Sequence, residues 1–184
     1  MGQKKMRADG LRNREAILKA AADVFARDGF VIALDRIAVE AGVGRATLYR
    51  NFSNRSVLAM AVFEQNVARF EQLAEKVSAT PQGFRFMLDA LAEDIAAHAA
   101  LGQALALTEA ESDLSDLRDR VVEVLDRFRR SGIEAGELRP DFHRDDIALL
   151  VDTLGLGLQP GDRARRAVQV ARMVELFSTG ISSR

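Results

Sequence analysis

The spacing of apolar residues limits the fold of this chain more than any other feature of its sequence. Between residues 13 and 27, Ile17, Ala21, Val24 and Phe25 recur at three- and four-residue steps and fall on one side of a helix. The alternation of apolar and polar residues that marks a half-buried strand is nearly absent. The predicted helices include residues 13–27, 34–42, 45–51, 54–76, a segment from Pro81, 114–135, 145–158 and 163–180. The sequence therefore predicts an all-α protein of about nine helices.

Composition narrows the class of protein further. Hydrophobic residues make up 48% of the 184 residues, which is ordinary for a globular protein with a core. Cysteine is absent, which excludes disulfides, thiolate nucleophiles and cysteine metal sites. The amino terminus lacks the apolar core of a signal peptide, and the apolar run 147–158 is broken by Asp152 and too short to span a bilayer. We therefore expect a soluble, cytoplasmic protein with no membrane partner.

Charge is distributed unevenly along the chain. Residues 1–55 carry 11 Lys or Arg against 6 Asp or Glu, a net charge of +5, and the remaining 129 residues carry 15 against 21, a net charge of −6. A basic head on an acidic body indicates that the head meets a polyanion. Random surface charge is the alternative.

The segment AGVGRATLYRNF, residues 41–52, has two glycines one residue apart between two short helices, the pattern of a helix-turn-helix unit. Gly42 is expected to take a positive φ, with no room for a Cβ, and Val43 to be buried between the helices. Ala38 is expected to be small because the next helix packs across it, and Leu48 and Phe52 to anchor that helix to the core. The predicted structural residues are thus Ala38, Gly42, Val43, Leu48 and Phe52.

The remaining side chains of the second short helix are predicted to face outward. These are Arg45, Thr47, Tyr49, Arg50 and Asn51. Arginine can pair with guanine edges or with phosphate, and the hydroxyl and amide groups can bond phosphates or bases. A solvated helix face after an ordinary glycine cap is the alternative, but the full combination favours binding of double-stranded DNA.

These residues resemble the tetracycline-repressor (TetR) family of bacterial transcriptional regulators. The resemblance lies in ILKAAADVFARDGF, IAVEAGVGRATLYRNF and NRSVL, between Ile17 and Leu58. Ala33 and Gly44 depart from it, because both stand where the family often has a Ser or Thr cap. The resemblance implies a three-helix DNA-binding domain over residues 10–54 and a helical regulatory and dimerisation domain over residues 55–184.

The resemblance also implies roles for single residues. Arg45 and Thr47 would approach base edges, Tyr49 and Asn51 would contact phosphates or neighbouring bases, and Arg55 would contact the phosphate backbone. Further phosphate contacts are expected from Arg50, Arg12 and Arg14.

In the second domain the resemblance implies a homodimer interface and a ligand pocket. The expected interface residues are Leu150, Leu154, Ala164, Ala167, Val168 and Ala171, with internal core as the alternative. The expected pocket residues are Phe84, Met87, Leu91, Asp94, His98, Leu105 and Phe128, again with plain core as the alternative. With no Trp, one Tyr and ten Phe, a mostly apolar small-molecule effector is expected. Its binding would tilt the long helix 54–76 and release the repressor from its operator.

Two other classes stay open. An enzyme with a di-iron centre would need Glu-x-x-His pairs, whereas Glu93 and Asp94 precede His98 by five and four residues. We therefore predict no catalytic residue, no metal and no cofactor. A DNA-binding protein without a small-molecule ligand would share the same amino-terminal domain and have fully packed middle helices.

Overall fold

The computed structural model describes residues 2–77, 80, 82–106, 111–156 and 163–182. Over these residues the chain forms eight α-helices and no strand, apart from an isolated bridge between Leu138 and Ser182. The helices are α1 (Gly2–Asp28), α2 (Leu34–Glu40), α3 (Arg45–Asn51), α4 (Arg55–Lys76), α5 (Gly83–Ala106), α6 (Glu111–Glu134), α7 (Arg144–Leu156) and α8 (Arg163–Ile181). The all-α prediction is confirmed, with eight helices in the described part of the chain rather than about nine.

Helix boundaries differ from the prediction mainly at the amino terminus. Helix α1 begins at Gly2 rather than at residue 13, and it continues through Gly10, next to which Arg12 pairs with Asp9. It ends as predicted, because Gly29 takes a φ of 83° and its N–H donates to the carbonyl of Phe25 at 3.1 Å. Pro81, which was expected to open a helix, lies outside the described residues.

The chain divides into two compact units. The first unit contains Met1–Glu64 and Ala100–Ala110. Its buried apolar side chains include Ile17, Ala21, Val24, Phe25, Leu34, Ile37, Leu48, Phe52, Leu58, Val62, Leu101 and Leu105. The end of α5 joins this unit through Gly102, where an added Cβ would lie 3.1 Å from the ring of Phe63. The first unit therefore combines α1–α3 with the start of α4 and the end of α5.

The second unit contains Gln65–Ala99 and Glu111–Arg184. Its buried apolar side chains include Phe84, Met87, Leu88, Val122, Leu125, Phe128, Ile147, Leu150, Leu154, Val170 and Val174. Helix α6 is fastened to its neighbours by two-pronged ion pairs, because Arg120 donates to Glu71 at 2.8 and 2.7 Å and Arg118 donates to Asp152 at 2.5 and 2.9 Å. Within the described part of the chain, no helix is both long and apolar enough to span a membrane.

Candidate nucleic-acid interface

The turn between α2 and α3 is built from backbone hydrogen bonds around Gly42. The N–H of Gly42 donates to the carbonyl of Val39 at 3.1 Å, and that of Val43 donates to the carbonyl of Ala38 at 3.0 Å. Gly42 adopts a φ of 65°, a left-handed conformation that a residue with a Cβ reaches only at a cost. The predicted positive φ is therefore present.

Two expectations about this turn are wrong in detail. A Cβ added at Gly42 meets no atom within 4 Å, so the backbone angle alone favours glycine there and no clash does. Val43 is half-buried rather than fully enclosed, because the turn carries it to the edge of the contact between α2 and α3.

Gly44 directly precedes helix α3 and, having no side chain, caps it through its backbone alone. Gly44 has φ −70° and ψ 147°, and its carbonyl accepts from the N–H groups of both Thr47 and Leu48 at 2.8 and 3.1 Å. An isolated helix of seven residues would not be stable in water. Tertiary contacts must therefore hold α3 in place.

Those contacts come from the buried face of α3. Leu48 is 0% and Phe52 1% exposed, and Ala38 on α2 is 3% exposed. Burying side chains of the size of Leu48 and Phe52 stabilises by about 1.5–3 kcal/mol each. The guanidinium of Arg14 on α1 lies 4.6 Å from the centroid of the Phe52 ring. This arrangement fixes both the tilt and the rotation of α3 relative to α1.

The five side chains of α3 that were expected to contact DNA differ in exposure. Arg45 is 70% exposed at its side chain and Tyr49 is 41% exposed, while Arg50 is exposed and Thr47 and Asn51 are half-buried. Nη2 of Arg50 donates to Oγ1 of Thr47 at 3.0 Å, and Nδ2 of Asn51 donates to the Thr47 carbonyl at 2.8 Å. The guanidinium carbon of Arg45 lies 5.6 Å from the centroid of the Tyr49 ring. The exposed part of α3 is therefore polar and cationic, and contacts within the helix hold several of its side chains.

The three other predicted arginines differ in their surroundings. Arg12 is 70% exposed at its side chain, whereas Arg14 is half-buried against Phe52. Nη2 of Arg55 donates to the carbonyl of Ile32 at 2.8 Å, and its guanidinium carbon lies 5.6 Å from the centroid of the Phe30 ring. The Arg55 guanidinium is thus turned into the protein, which differs from the expected phosphate contact. It fastens the segment between α1 and α2 to the start of α4.

Asp28 and Glu40 in the first unit pair with arginines in a cluster that the sequence did not predict. Arg27 donates to Asp28 and also to Glu40, at 3.2 and 3.0 Å for the latter, and Nη2 of Arg36 lies 3.5 Å from Asp28. Hydrogen bonds from Arg27 hold the pKa of Asp28 below its ordinary value of 3.8 and that of Glu40 below 4.5. No local spacing could have revealed the contact, since Arg27 and Glu40 are 13 residues apart.

A further acidic residue that the sequence analysis did not single out lies beside Arg45 of α3. The carboxylate of Asp35 on α2 is 3.1 Å from Nη1 of Arg45, and its side chain is 52% exposed. The two residues meet because the turn at Gly42 reverses the chain between them.

The residues expected to form a ligand pocket are mostly core. Phe84, Met87, Leu91 and Phe128 are 2%, 0%, 6% and 0% exposed in the second unit, whereas Leu105 belongs to the first unit. In the second unit Nδ1 of His98 lies 3.0 Å from the carbonyl oxygen of Asp94, which is itself half-buried.

A groove of about 400 Å³ opens elsewhere in the second unit. Its apolar lining is Phe84, Phe86, Leu138 and Ile181. Of the expected pocket residues, Phe84 alone lies on this groove.

The expected dimer residues divide into two groups. Leu150 and Leu154 are 1% and 0% exposed, because they turn inward from α7. On α8 the expected residues Ala164, Ala167, Val168 and Ala171 are all exposed. Leu149 and Leu176 are 64% and 57% exposed, and they line a groove of about 460 Å³ between α7 and α8. The outward apolar residue of α7 is therefore Leu149, one position before the predicted Leu150.

Metal-binding groups do not cluster in the described part of the chain. Within it, no three His, Cys, Asp or Glu side chains lie close enough together to hold a metal ion.

Comparison with known proteins gives consistent matches. Residues 17–62 match the sequence profile of the bacterial regulatory proteins of the tetR family. An HTH-type transcriptional regulator of Staphylococcus aureus is 32% identical over 91 residues, which cover 47% of this chain and 49% of the relative. The chain thus spans about half the length of the curated relatives it matches.

Two solved structures extend the likeness over the whole fold. A TetR transcriptional regulator of Streptomyces coelicolor shares 28% identity at a TM-score of 0.69, over 92% of this chain and 98% of that one. A TetR transcription regulatory protein of Mycobacterium vanbaalenii shares 26% identity at a TM-score of 0.72, over 96% and 99%.

Proposed function

We propose that the chain is a member of the tetR family of bacterial regulatory proteins, because residues 17–62 match that family's profile and the whole fold resembles TetR regulators. In this proposal it is a homodimeric transcriptional regulator that binds double-stranded operator DNA. In this proposal a small, mostly apolar molecule binds the second unit and releases the protein from its operator. The observation that carries the proposal is the exposed cationic face of a short helix whose other face is buried.

Helix α3 would enter the major groove with its amino-terminal residues at the base edges. Arg45 can donate two hydrogen bonds to a guanine, and the Thr47 hydroxyl can still donate while it accepts from Arg50. Tyr49, Arg50 and Asn51 would contact phosphates or neighbouring bases. These five side chains supply both the electrostatic attraction and the sequence readout.

Outside α3, we assign the arginines two kinds of role. Arg12 would contact phosphate, since its side chain is 70% exposed. Arg14 and Arg55 would act through Phe52 and through the Ile32 carbonyl, holding α3 and the start of α4 in position. Their loss would weaken binding by misplacing the reading helix.

One seven-residue helix reads only a few base pairs, so useful specificity requires a second copy. We propose that the exposed face of α8, with Leu149 and Leu176, packs against the same face of a partner. The small side chains Ala164, Ala167 and Ala171 allow the partner helix to approach closely. The two α3 helices would then read half-sites about 34–36 Å apart on a near-palindromic operator.

The proposed effector would bind the apolar interior of the second unit. Met87, Leu91 and Phe128 surround an apolar interior in the second unit, and α4 continues from the first unit into the second. A ligand that shifts the population from 1:99 to 99:1 must prefer the DNA-free state by about 5.5 kcal/mol. A thermal-shift screen of apolar small molecules tests this part, and a regulator without an effector would show no stabilising compound.

Operator binding is tested by selecting duplexes from random-sequence DNA with the purified protein. Arg45→Ala should then weaken binding to the selected duplex by about 1–3 kcal/mol. The matched control is Arg36→Ala, because Arg36 is 60% exposed on α2 and pairs with Asp28 instead of facing outward from α3. Recovery of no duplex at low ionic strength, or equal losses in the two variants, would refute the proposed reading face.

A further inference from the structure

We propose that Asp35 determines sequence specificity by positioning Arg45 for base readout and by opposing contact with phosphate. The proposal rests on the proposed function, since it requires that α3 bind operator DNA. Asp35 would touch no base itself and would act through the arginine that does.

The first observation is the ion pair between two helices. Oδ2 of Asp35 lies 3.1 Å from Nη1 of Arg45, and the two side chains are 52% and 70% exposed. Asp35 is in the first turn of α2 and Arg45 is the first residue of α3. The pair therefore spans the turn of the helix-turn-helix unit and borders the face proposed to meet DNA.

The second observation is the side of the guanidinium that the pair leaves available. A guanidinium has five N–H donors, and Asp35 engages the Nη1 end while the Tyr49 ring lies against it at 5.6 Å. The edge formed by Nε and Nη2 remains for O6 and N7 of a guanine, which accept two parallel hydrogen bonds. Holding one end of a long, flexible side chain lowers the conformational entropy lost when the other end binds.

The same carboxylate discriminates against DNA of the wrong sequence. On a guanine, Arg45 can keep its bond to Asp35 and use its other edge. To reach a phosphate, Arg45 must leave Asp35, and the carboxylate left without its partner then repels any phosphate that comes within a Debye length, about 8–10 Å. Asp28 at the end of α1 and Glu40 at the end of α2 do not act in this way, since both are engaged by Arg27.

The experiment compares affinities for a duplex selected by the wild-type protein and for a scrambled duplex of the same composition, across a series of salt concentrations. Asp35→Asn should lower the ratio of the two affinities about tenfold, because the arginine loses its fixed orientation and the scrambled duplex is no longer repelled. It should also steepen the salt dependence on the scrambled duplex by about one unit of slope, as Arg45 turns to phosphate. Asp35→Ser is a second neutral variant whose side chain also suits the start of a helix.

Two controls separate this role from a merely structural one. Glu40→Gln removes the same charge from the same helix, but its partner is Arg27, so the affinity ratio should stay within about twofold of wild type. In an Arg45→Ala background, Asp35→Asn should no longer change the ratio, since its effect passes through the arginine.

The outcomes distinguish the inference from the function on which it rests. An unchanged ratio in both Asp35 variants, or the same loss in the Arg45→Ala background, overturns the inference and leaves operator binding standing. If the wild-type protein selects no duplex, the proposed function fails and the inference fails with it.

Discussion

Helices α3 and α8 both present exposed side chains at the surface, but the two faces differ in chemistry. Helix α3 exposes Arg45, Tyr49 and Arg50, whereas α8 exposes Ala167 and Val168. A cationic face can bind a polyanion such as DNA, and such binding weakens as salt rises. An apolar face can pack against another protein surface. Such association is driven by the burial of apolar area and depends little on salt. We therefore expect DNA binding to weaken as salt rises and dimerisation to change little.

The two helices also differ in how they are held. Helix α3 has seven residues and depends on Leu48 and Phe52, whereas α8 has 19 residues and buries Val170 and Val174 at 1% exposure each. Damage to one anchor should therefore disturb α3 far more than a surface change disturbs α8.

The largest expected effect follows from removing the anchor of α3. Phe52→Ala should destabilise the first unit by about 3–5 kcal/mol, since the ring is 1% exposed and its loss leaves a cavity beneath Arg14. Tyr49 is the single tyrosine of the chain, and there is no tryptophan, so its fluorescence during urea unfolding reports on α3 directly. Arg50→Ala on the exposed face is the control, with an expected change within about 0.5 kcal/mol. A stable Phe52→Ala variant would mean that α3 does not depend on this anchor.

A charge introduced on the apolar face of α8 tests whether that face forms the dimer interface. Val168 is 70% exposed, so Val168→Glu should leave the monomer folded but weaken the dimer by at least about 2 kcal/mol, because a carboxylate would be buried without a partner. Sedimentation analysis at low and high salt measures the dimer, and operator affinity should fall with it. Ser115→Glu, at an exposed position of α6, should leave both unchanged. Equal dimerisation in both variants would place the interface elsewhere.

The two glycines of the turn differ in backbone angle but not in the space around them, so substituting each tests the effect of the angle alone. Neither Gly42 nor Gly44 has an atom within 4 Å of an added Cβ, but only Gly42 has a positive φ, 65°. Gly42→Ala should therefore cost about 1–2 kcal/mol, whereas Gly44→Ala should cost less, below about 1 kcal/mol, because its φ is ordinary and alanine is only a poorer residue than glycine at the start of α3. Urea unfolding of the pair measures the difference. Equal costs would show that the environment, and not the angle, selects glycine.

The smallest expected effect concerns an ion pair of the second unit. Hydrogen bonds from Arg120 hold the pKa of Glu71 below its ordinary value of 4.5, so the pair stabilises the fold above about that pH and the contribution is lost as pH falls through the lowered pKa. Both side chains are more than a third exposed and screened by water, so Glu71→Gln should cost less than about 1 kcal/mol at neutral pH. The difference between wild type and variant should shrink in acid. A difference that grows below pH 4.5 would contradict the assignment.

The helix-turn-helix unit could be predicted closely because its information is local. The positive φ of Gly42 and the buried Leu48 and Phe52 follow from the order of residues within one short segment. The partners of its charges could not be predicted in this way. Arg27 meets Glu40, and Asp35 meets Arg45, only after the turn has brought α2 back against its neighbours.

The second unit was predictable as helices but not as surfaces. Apolar spacing places α7 correctly, yet Leu149 and Leu150 are both leucines, and only packing turns Leu150 inward and leaves Leu149 exposed. Apart from Asp94 and His98, the expected pocket residues are apolar, as core residues also are, so the sequence could not separate a cavity lining from a filled interior. Leu105 belongs to the first unit because the end of α5 packs there, and local residue spacing does not reveal such a long-range contact.

The membership of Ala100–Ala110 in the first unit determines how the DNA-binding part can be isolated. A fragment that stops at Glu64 would lack Leu101 and Leu105, which are 1% and 0% exposed in the intact chain, and it would leave Phe63 without Gly102 beside it. Such a truncation would expose apolar surface and tend to aggregate. The first unit is therefore not separable as residues 1–64 alone, because a later stretch of the chain completes it.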